Sequence, residues 1–517
     1  MISLPKMIDR AARLNPNGNA TQYGDRANSW LTLKGRVARL AAGLHSFNLA
    51  EGDRVAILSL NSDRYFEALF AVPWAGYAVV PLNTRWALAE NTYAISDSGC
   101  KVVLFDDAFT AQTESLLSDV DDLQAAVYMG DEECPSWARS YEELIASNSE
   151  QAISSRGDTD MAGIFYTGGT TGFPKGVMQS HLAIWSSAMG GMPEFQMTRD
   201  DVYLHVAPMF HMADLAGTMN VTLSCGSNVI LQSFEPQRVL QTFAEHRISH
   251  SLLVPAMIKM VLNHADAPTA DVSSLRYLLY GASPMPPAVL NQCMQLWPSV
   301  GLVQAYGQTE LAPIVTMLSA AAHSEGGAKL GSAGRPTAIN DVRIVDDEGK
   351  DCAQGSSGEI VVRGPHAMLG YWNKPEETSK ALQDGWVFTG DAGYFDEQGY
   401  LFIVDRVKDM VVTGGENVFT TEVENAVISH AAVQDVAVIG IPHDEWGEAV
   451  HAIVILHQNK TVSEQDLIEH CRALIAGYKL PKSVTFREEP LPLSGAGKVL
   501  KTELRKPFWE GRGRQVN

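Results

Sequence analysis

Residues 166–177 read YTGGTTGFPKGV, directly after the apolar, strand-like run 162–165 (AGIF). Three glycines within five positions, Gly168, Gly169 and Gly172, let the backbone take conformations closed to other residues, so that amide hydrogens can converge on phosphate oxygens. Thr167, Thr170 and Thr171 add hydroxyl donors, and Lys175 supplies a charge that can meet β/γ-phosphates. The glycine spacing is not that of a Walker A loop, and Gly176 stands where that loop needs Ser or Thr after its lysine, so a P-loop NTPase is excluded.

Around this loop, short β-branched or leucine-rich runs at 55–58, 102–105, 229–231, 252–254 and 278–280 alternate with stretches of helical length. That rhythm predicts βαβ units. The runs are continuously apolar rather than alternating, which predicts parallel sheets covered by helices on both faces, with ligands at the strand ends. After 334–336 (GRP), closely spaced strands at 342–345, 359–363 and 401–404 predict a small antiparallel sheet or barrel. Beyond 409, strands at 436–439 and 451–456 and a helix at 464–475 predict a compact α+β unit.

A chain of 517 residues exceeds what one hydrophobic core usually organises. With 45% hydrophobic and 19% charged residues it reads as globular. The net charge of −21 argues against a nucleic-acid partner, which needs a basic footprint, and means that any anionic ligand requires local cations. Six cysteines at 100, 134, 225, 293, 352 and 471 spell neither a CxxC pair nor a zinc cluster, which fits a reducing cytoplasm. The first residues lack a secretory pattern. The longest apolar run, 68–82, is broken by Pro73 and Pro81, so no transmembrane segment is expected; peripheral membrane contact and a homodimer stay open.

The string at 166–177 resembles the adenylate-forming superfamily of acyl- and aryl-CoA synthetases, luciferase-like enzymes and peptide adenylation domains, and the later motifs follow in the family's order. The resemblance implies an α/β fold. It has a large domain of residues 1–404, comprising two helix-layered βαβ-type sheets (1–333) and a small β-barrel (334–404), then a hinge at 405–409 and a smaller mobile α+β domain at 410–517. One departure is Gly168, where many members carry serine.

By the same resemblance, Gly281, Ala282 and Ser283 (280–284, YGASP) border an adenine. Ala305, Tyr306, Gly307, Gln308 and Thr309 (306–310, YGQTE) pack against it and reach the α-phosphate, and Glu310 with Thr167 holds Mg²⁺. Asp391 and Arg406 contact the ribose, and Lys408 is the hinge. Gly414, Gly415, Glu416 and Lys479 face coenzyme A in a second pose, and Lys498 within LSGAGK (493–498) is the adenylation lysine. His211, after PMF (208–210), replaces the aspartate that holds the ammonium group in amino-acid-activating relatives, so it is expected beside the carboxylate of another acid. The acyl pocket is expected from His211, Met212, Ala213, Gly217, Gly281, Ala305 and Pro313. Small walls at Ala213 and Gly217 suggest room for a medium or long fatty acid, with an aryl acid as the alternative. The implied activity is ATP- and Mg²⁺-dependent ligation of a carboxylic acid to coenzyme A. A nucleotide- or fatty-acid-binding protein without catalysis is the competing reading, opposed by the joint presence of Lys175, Glu310, Asp391 and Lys498.

Overall fold

The structure is a computed structural model that describes residues 1–167, 174–346, 348–406, 409–413, 416–443, 446–472, 474–493 and 499–510, leaving aside the side chains of residues 405, 406, 412, 416 and 417. Its residues divide into two compact units, Met1–Asp341 with Val362–Val387, and Val342–Val361 with Phe388–Asn517.

The first unit holds two large sheets. One runs in the order Gly370–Tyr371, Lys175–Ser180, Met161–Thr167, Ala78–Pro81, Arg54–Leu58, Cys100–Phe105, Ala125–Tyr128, Arg139–Ser140. It is parallel from Met161–Thr167 onward and antiparallel before it. The other sheet has nine strands. Its parallel centre is Gly301–Gly307, Tyr277–Gly281, His250–Leu252, Val202–His205, Ser227–Ile230 and Asn19–Tyr23, with antiparallel strands at both edges.

Both faces of both sheets are buried, which is why the strands read as unbroken apolar runs. Val55 and Ile57 pack against helices Trp30–Leu44 and Asp63–Trp74, while Ala56 and Leu58 meet Leu88–Ser98 and Thr110–Asp119 on the opposite side. In the nine-stranded sheet Leu204, Leu278 and Leu302 share one core, and Tyr203, Leu279 and Val303 another.

Helix starts are set by residues that satisfy or dispense with the first free N–H groups. Ser29, Ser62 and Ser180 each accept from a backbone N–H three residues on, and Pro236, Pro255 and Pro287 begin helices where no N–H is needed. No helix among the described residues is long and apolar enough to cross a membrane. All six cysteines are free thiols.

Gly358–Arg363, Trp386–Phe395 and Leu401–Arg406 belong to a five-stranded sheet in which the last two run antiparallel, and the second unit has a further sheet ordered Glu416–Val418, Val411–Thr413, Gly447–Leu456, Val433–His443. Ser483–Phe486 joins Gly447–Leu456 in parallel. Val438, Val450 and Val454 face helices Thr420–Ile428 and Glu464–Arg472, and Ala437, Ile439 and Ile453 face Lys501–Trp509, giving this unit its own α+β core.

Three buried imidazoles of the first unit, His181, His250 and His366, are held by burial down to about 4. The unfolded chain takes up those protons near pH 6.5 and the folded one only near 4, so stability is full above about 6.5 and falls as the pH drops toward 4. A melting temperature that declines across that window is the expected result; a flat profile would contradict it.

Candidate active site

The glycine/threonine loop hangs between two antiparallel strands of the first unit, Met161–Thr167 and Lys175–Ser180, whose register pairs Thr167 directly with Lys175. Residues 168–173, and with them Gly168, Gly169, Thr170, Thr171 and Gly172, lie outside the described residues. The loop's two ends are thus held side by side, with Lys175 on one and a threonine hydroxyl on the other.

A second segment binds this hairpin to the turn that carries Glu310. Gly370–Tyr371 pairs antiparallel with Met178 and Val177, Met368 N–H donates to the Glu310 carbonyl at 2.9 Å, and Trp372 N–H to the Gly176 carbonyl at 2.8 Å. Gln179 Nε2 donates to the Thr309 carbonyl at 2.6 Å. The Lys175 ammonium lies 5.0 Å from the Tyr371 ring centroid, and the Tyr371 hydroxyl donates to Glu310 Oε1 at 2.8 Å. Burial first, and then the Glu310 charge, push the Tyr371 phenol well above its usual value, so it stays a donor to the carboxylate. Lys175, Tyr371 and Glu310 therefore form one contiguous group.

The strand-end motifs sit where the βαβ reading predicts. Gly281 and Ala305 are partners on adjacent parallel strands, and Tyr306 and Gly307 end theirs just before the short helical turn Thr309–Leu311. Ala282 has a positive φ of 63°. Two of these glycines are required by space alone, since a Cβ at Gly281 would lie 2.2 Å from the Ala305 carbonyl oxygen and one at Gly307 would lie 1.6 Å from that of Pro313. Gly307→Ala is expected to cost roughly 3 kcal/mol of stability in urea unfolding, because the clash is with backbone that cannot turn aside. A loss under about 1 kcal/mol would mean the turn relaxes.

His211 is the N-cap residue of helix Met212–Ser224, with its ring 4.2 Å from that of Phe210. The preceding segment is pinned by Asn61, which bonds both the Ala207 carbonyl and the Met209 N–H. The space left by Gly217 is not empty. A Cβ there would come 2.3 Å from the Tyr203 hydroxyl, and Tyr203 belongs to the same core as Ala213 and Ala305.

In the second unit Asp391 is buried in strand Trp386–Phe395, opposite Arg406 in register. The tight entry is held by Gly390, at φ 70°, whose N–H donates to Glu359, and by Thr389, whose hydroxyl donates to the Ile360 carbonyl. Lys479 bonds both oxygens of Glu422, at 2.8 and 2.7 Å; burial acts to lower its pKa, and Glu422 outweighs this and raises it. Lys408, Gly414, Gly415 and Lys498 lie outside the described residues, as do the side chains of Arg406 and Glu416.

Among the described residues no group of three or more His, Cys, Asp or Glu is poised to hold a metal ion. A single carboxylate next to a phosphate-binding loop still suits Mg²⁺, which takes few carboxylates and completes its shell with phosphate and water. Sequence reading missed Tyr371 and Gln179, since nothing in a single sequence separates them from other tyrosines and glutamines; their roles come from strand pairing alone.

Residues 8–372 match the family model described as AMP-binding enzyme, and residues 422–498 match the AMP-binding enzyme C-terminal domain. The chain belongs to the AMP-binding enzyme family. It is 38% identical over 500 residues to a feruloyl-CoA synthase of Amycolatopsis sp, covering 96% of this chain and 98% of that one. It is 35% identical over 528 residues to the medium/long-chain-fatty-acid–CoA ligase FadD8 of Mycobacterium tuberculosis, covering 98% and 90%. Among solved structures, the o-succinylbenzoate CoA synthetase of Bacillus subtilis with its acyl-adenylate intermediate superposes with a TM-score of 0.85 at 30% identity, covering 98% of each chain. The chain is thus an AMP-forming acyl-CoA synthetase of the adenylating fold, with a carboxylic acid, ATP and coenzyme A as substrates.

Proposed function

We propose that the acid is aromatic, and that it is activated as its acyl-adenylate before transfer to the thiol of coenzyme A. The expectation of a medium or long fatty acid rested on small side chains at Ala213 and Gly217. The observation that turns the choice is Tyr203, whose hydroxyl takes up the space beside Gly217 and shortens the room for a chain of methylenes. In this reading a flat ring would lie against Ala213, Ala305 and Gly281, of which Ala213 and Ala305 border one apolar cluster and Gly281 pairs with Ala305.

In the first half-reaction the carboxylate approaches the α-phosphate of a polyanion. At 4 Å and an effective dielectric of 20, two unit charges repel by roughly 4 kcal/mol, so local cations must offset the meeting. In this reading Lys175 neutralises the β/γ-phosphates beside the loop, and Lys498 the meeting of carboxylate and α-phosphate. Asp391 accepts from the ribose hydroxyls, with Arg406 beside it, and Tyr306 and Ala282 flank the adenine. Glu310 and Thr167 would hold Mg²⁺, which supplies charge stabilisation to the leaving pyrophosphate. The carboxylate needs no general base, so positioning and electrostatics carry the step.

The second half-reaction brings a thiol to the acyl-adenylate carbonyl, where a loop carrying Lys498 would stand in the way. Rotation of the 410–517 domain about Lys408 would exchange that loop for Gly414, Gly415, Glu416 and Lys479. The 405–409 border lies between the two family-model matches, which supports it as the hinge.

Pyrophosphate release measured over a panel of hydroxycinnamic, benzoic, indolic and fatty acids, followed by thioester formation with coenzyme A, tests the reading. The highest kcat/KM is expected for an aromatic acid. A medium- or long-chain fatty acid at the top would restore the first expectation, and no turnover of any acid would overturn the substrate assignment altogether.

A further inference from the structure

Apolar packing brings three sequence-distant segments of the first unit together. Ala94 and Ile95 of helix Leu88–Ser98 share a core with Ile164, and Tyr166, Met178 and Trp372 pack against it. Such packing sets proximity without setting direction. Direction comes from Asp97, in the last turn of that helix. The Tyr166 hydroxyl donates to Asp97 Oδ2 at 2.7 Å, and the Asp97 carbonyl accepts from Trp372 Nε1 at 2.8 Å and from Asn373 Nδ2 at 3.3 Å.

These contacts close a circuit around the base of the glycine/threonine loop. Tyr166 is the register partner of Gly176, and its ring takes the space a Cβ there would need, at 3.0 Å. The Gly176 carbonyl accepts from Trp372 N–H at 2.8 Å. Trp372 returns through its indole to Asp97, and Asp97 through its carboxylate to Tyr166. Directly beside the circuit in sequence stand Thr167 after Tyr166, Lys175 before Gly176 and Tyr371 before Trp372.

The carboxylate occupies a place that helix electrostatics disfavour, since the last turn of a helix already carries partial negative charge. Arg54 offsets this. Its Nε donates to the Ser98 carbonyl at 2.6 Å, and its guanidinium lies 5.1 Å from the Trp372 ring centroid, so one cation covers the helix end and steadies the indole. The Asp97 carbonyl is one that a helix leaves open at its end, and Trp372 and Asn373 satisfy it. Burial first, and then the bond to Asp97, push the Tyr166 phenol well above its usual value, so it keeps its proton.

We propose that Asp97 is a positioning residue for the triphosphate of ATP: through Tyr166 and Trp372 it fixes the strand ends that present Thr167 and Lys175 and the segment that presents Tyr371. This rests on the reading above in which Lys175 meets the β/γ-phosphates. AMP has no such phosphates, so its binding depends less on that placement.

The test is calorimetric titration of the full chain, in the absence of any acid, with ATP plus Mg²⁺ and separately with AMP, alongside the melting temperature. Asp97→Ala and Tyr166→Phe are each expected to weaken ATP roughly 5- to 20-fold and AMP less than about twofold, because a displaced ammonium is felt only where the outer phosphates lie. The double variant should bind ATP no worse than either single one, since both remove the same bond. Asp97→Asn keeps an oxygen acceptor and should recover most of the ATP affinity. ATP and AMP weakened by the same factor, or neither weakened, would overturn the proposal and leave Asp97 a residue of the fold alone. Should Asp97→Ala not fold, Tyr166→Phe carries the same comparison. Lys175→Ala separates the two levels of the argument. An unchanged ratio of ATP to AMP affinity there would overturn the phosphate reading and the role of Asp97 with it, whereas a fall there without one in Tyr166→Phe would overturn the role of Asp97 alone.

Discussion

Lys498→Ala is expected to slow acyl-adenylate formation on the order of 10² to 10³ while leaving thioester formation from supplied acyl-adenylate near the wild-type rate. The argument is electrostatic. One ammonium offsets the repulsion between carboxylate and α-phosphate in adenylation, and that repulsion no longer exists once pyrophosphate has left. Lys498 sits in a Gly-rich string, LSGAGK at 493–498, that could be brought up and withdrawn. Single-turnover pyrophosphate release and acyl transfer, measured separately, check the division. Matching losses in both would show that Lys498 serves the fold or the thiol step as well.

The second large effect concerns the group of Lys175, Tyr371 and Glu310. Glu310→Gln keeps the shape and removes the charge, and is expected to lower kcat/KM for ATP on the order of 10² to 10³, partly restored by excess Mg²⁺. Tyr371→Phe deletes only the hydroxyl that donates to Glu310 Oε1 at 2.8 Å, a charge-assisted bond whose loss is expected to cost roughly tenfold. The two variants separate metal holding from carboxylate orientation. If the tyrosine variant fell as far as the glutamine one, its hydroxyl would have to touch the nucleotide itself.

Much of this was legible in the chain. The runs at 55–58 and 278–280 announced sheets buried on both faces, because Val55 and Ala56, or Leu278 and Leu279, each have an apolar layer to meet. The turns at 280–284 and 306–310 fall at strand ends because Gly281 and Gly307 allow backbone contacts no other residue permits. What could not be read depends on pairing between distant segments. Tyr371 lies on a two-residue strand that exists only against Met178 and Val177, and no local pattern predicts so short an element. Tyr203 is a polar residue within an apolar stretch, and only coordinates show that its hydroxyl packs against Gly217. The grouping of 342–361 with 388–517 likewise follows from contacts, not from any break in composition.

Residues 368–372 grip the Lys175 strand on one side and the Glu310 backbone on the other. A perturbation that loosens this strap cannot alter one grip alone. Across a series of substitutions there, Mg²⁺ half-saturation and the KM for ATP should drift together along one line, as two readings of a single mechanical linkage.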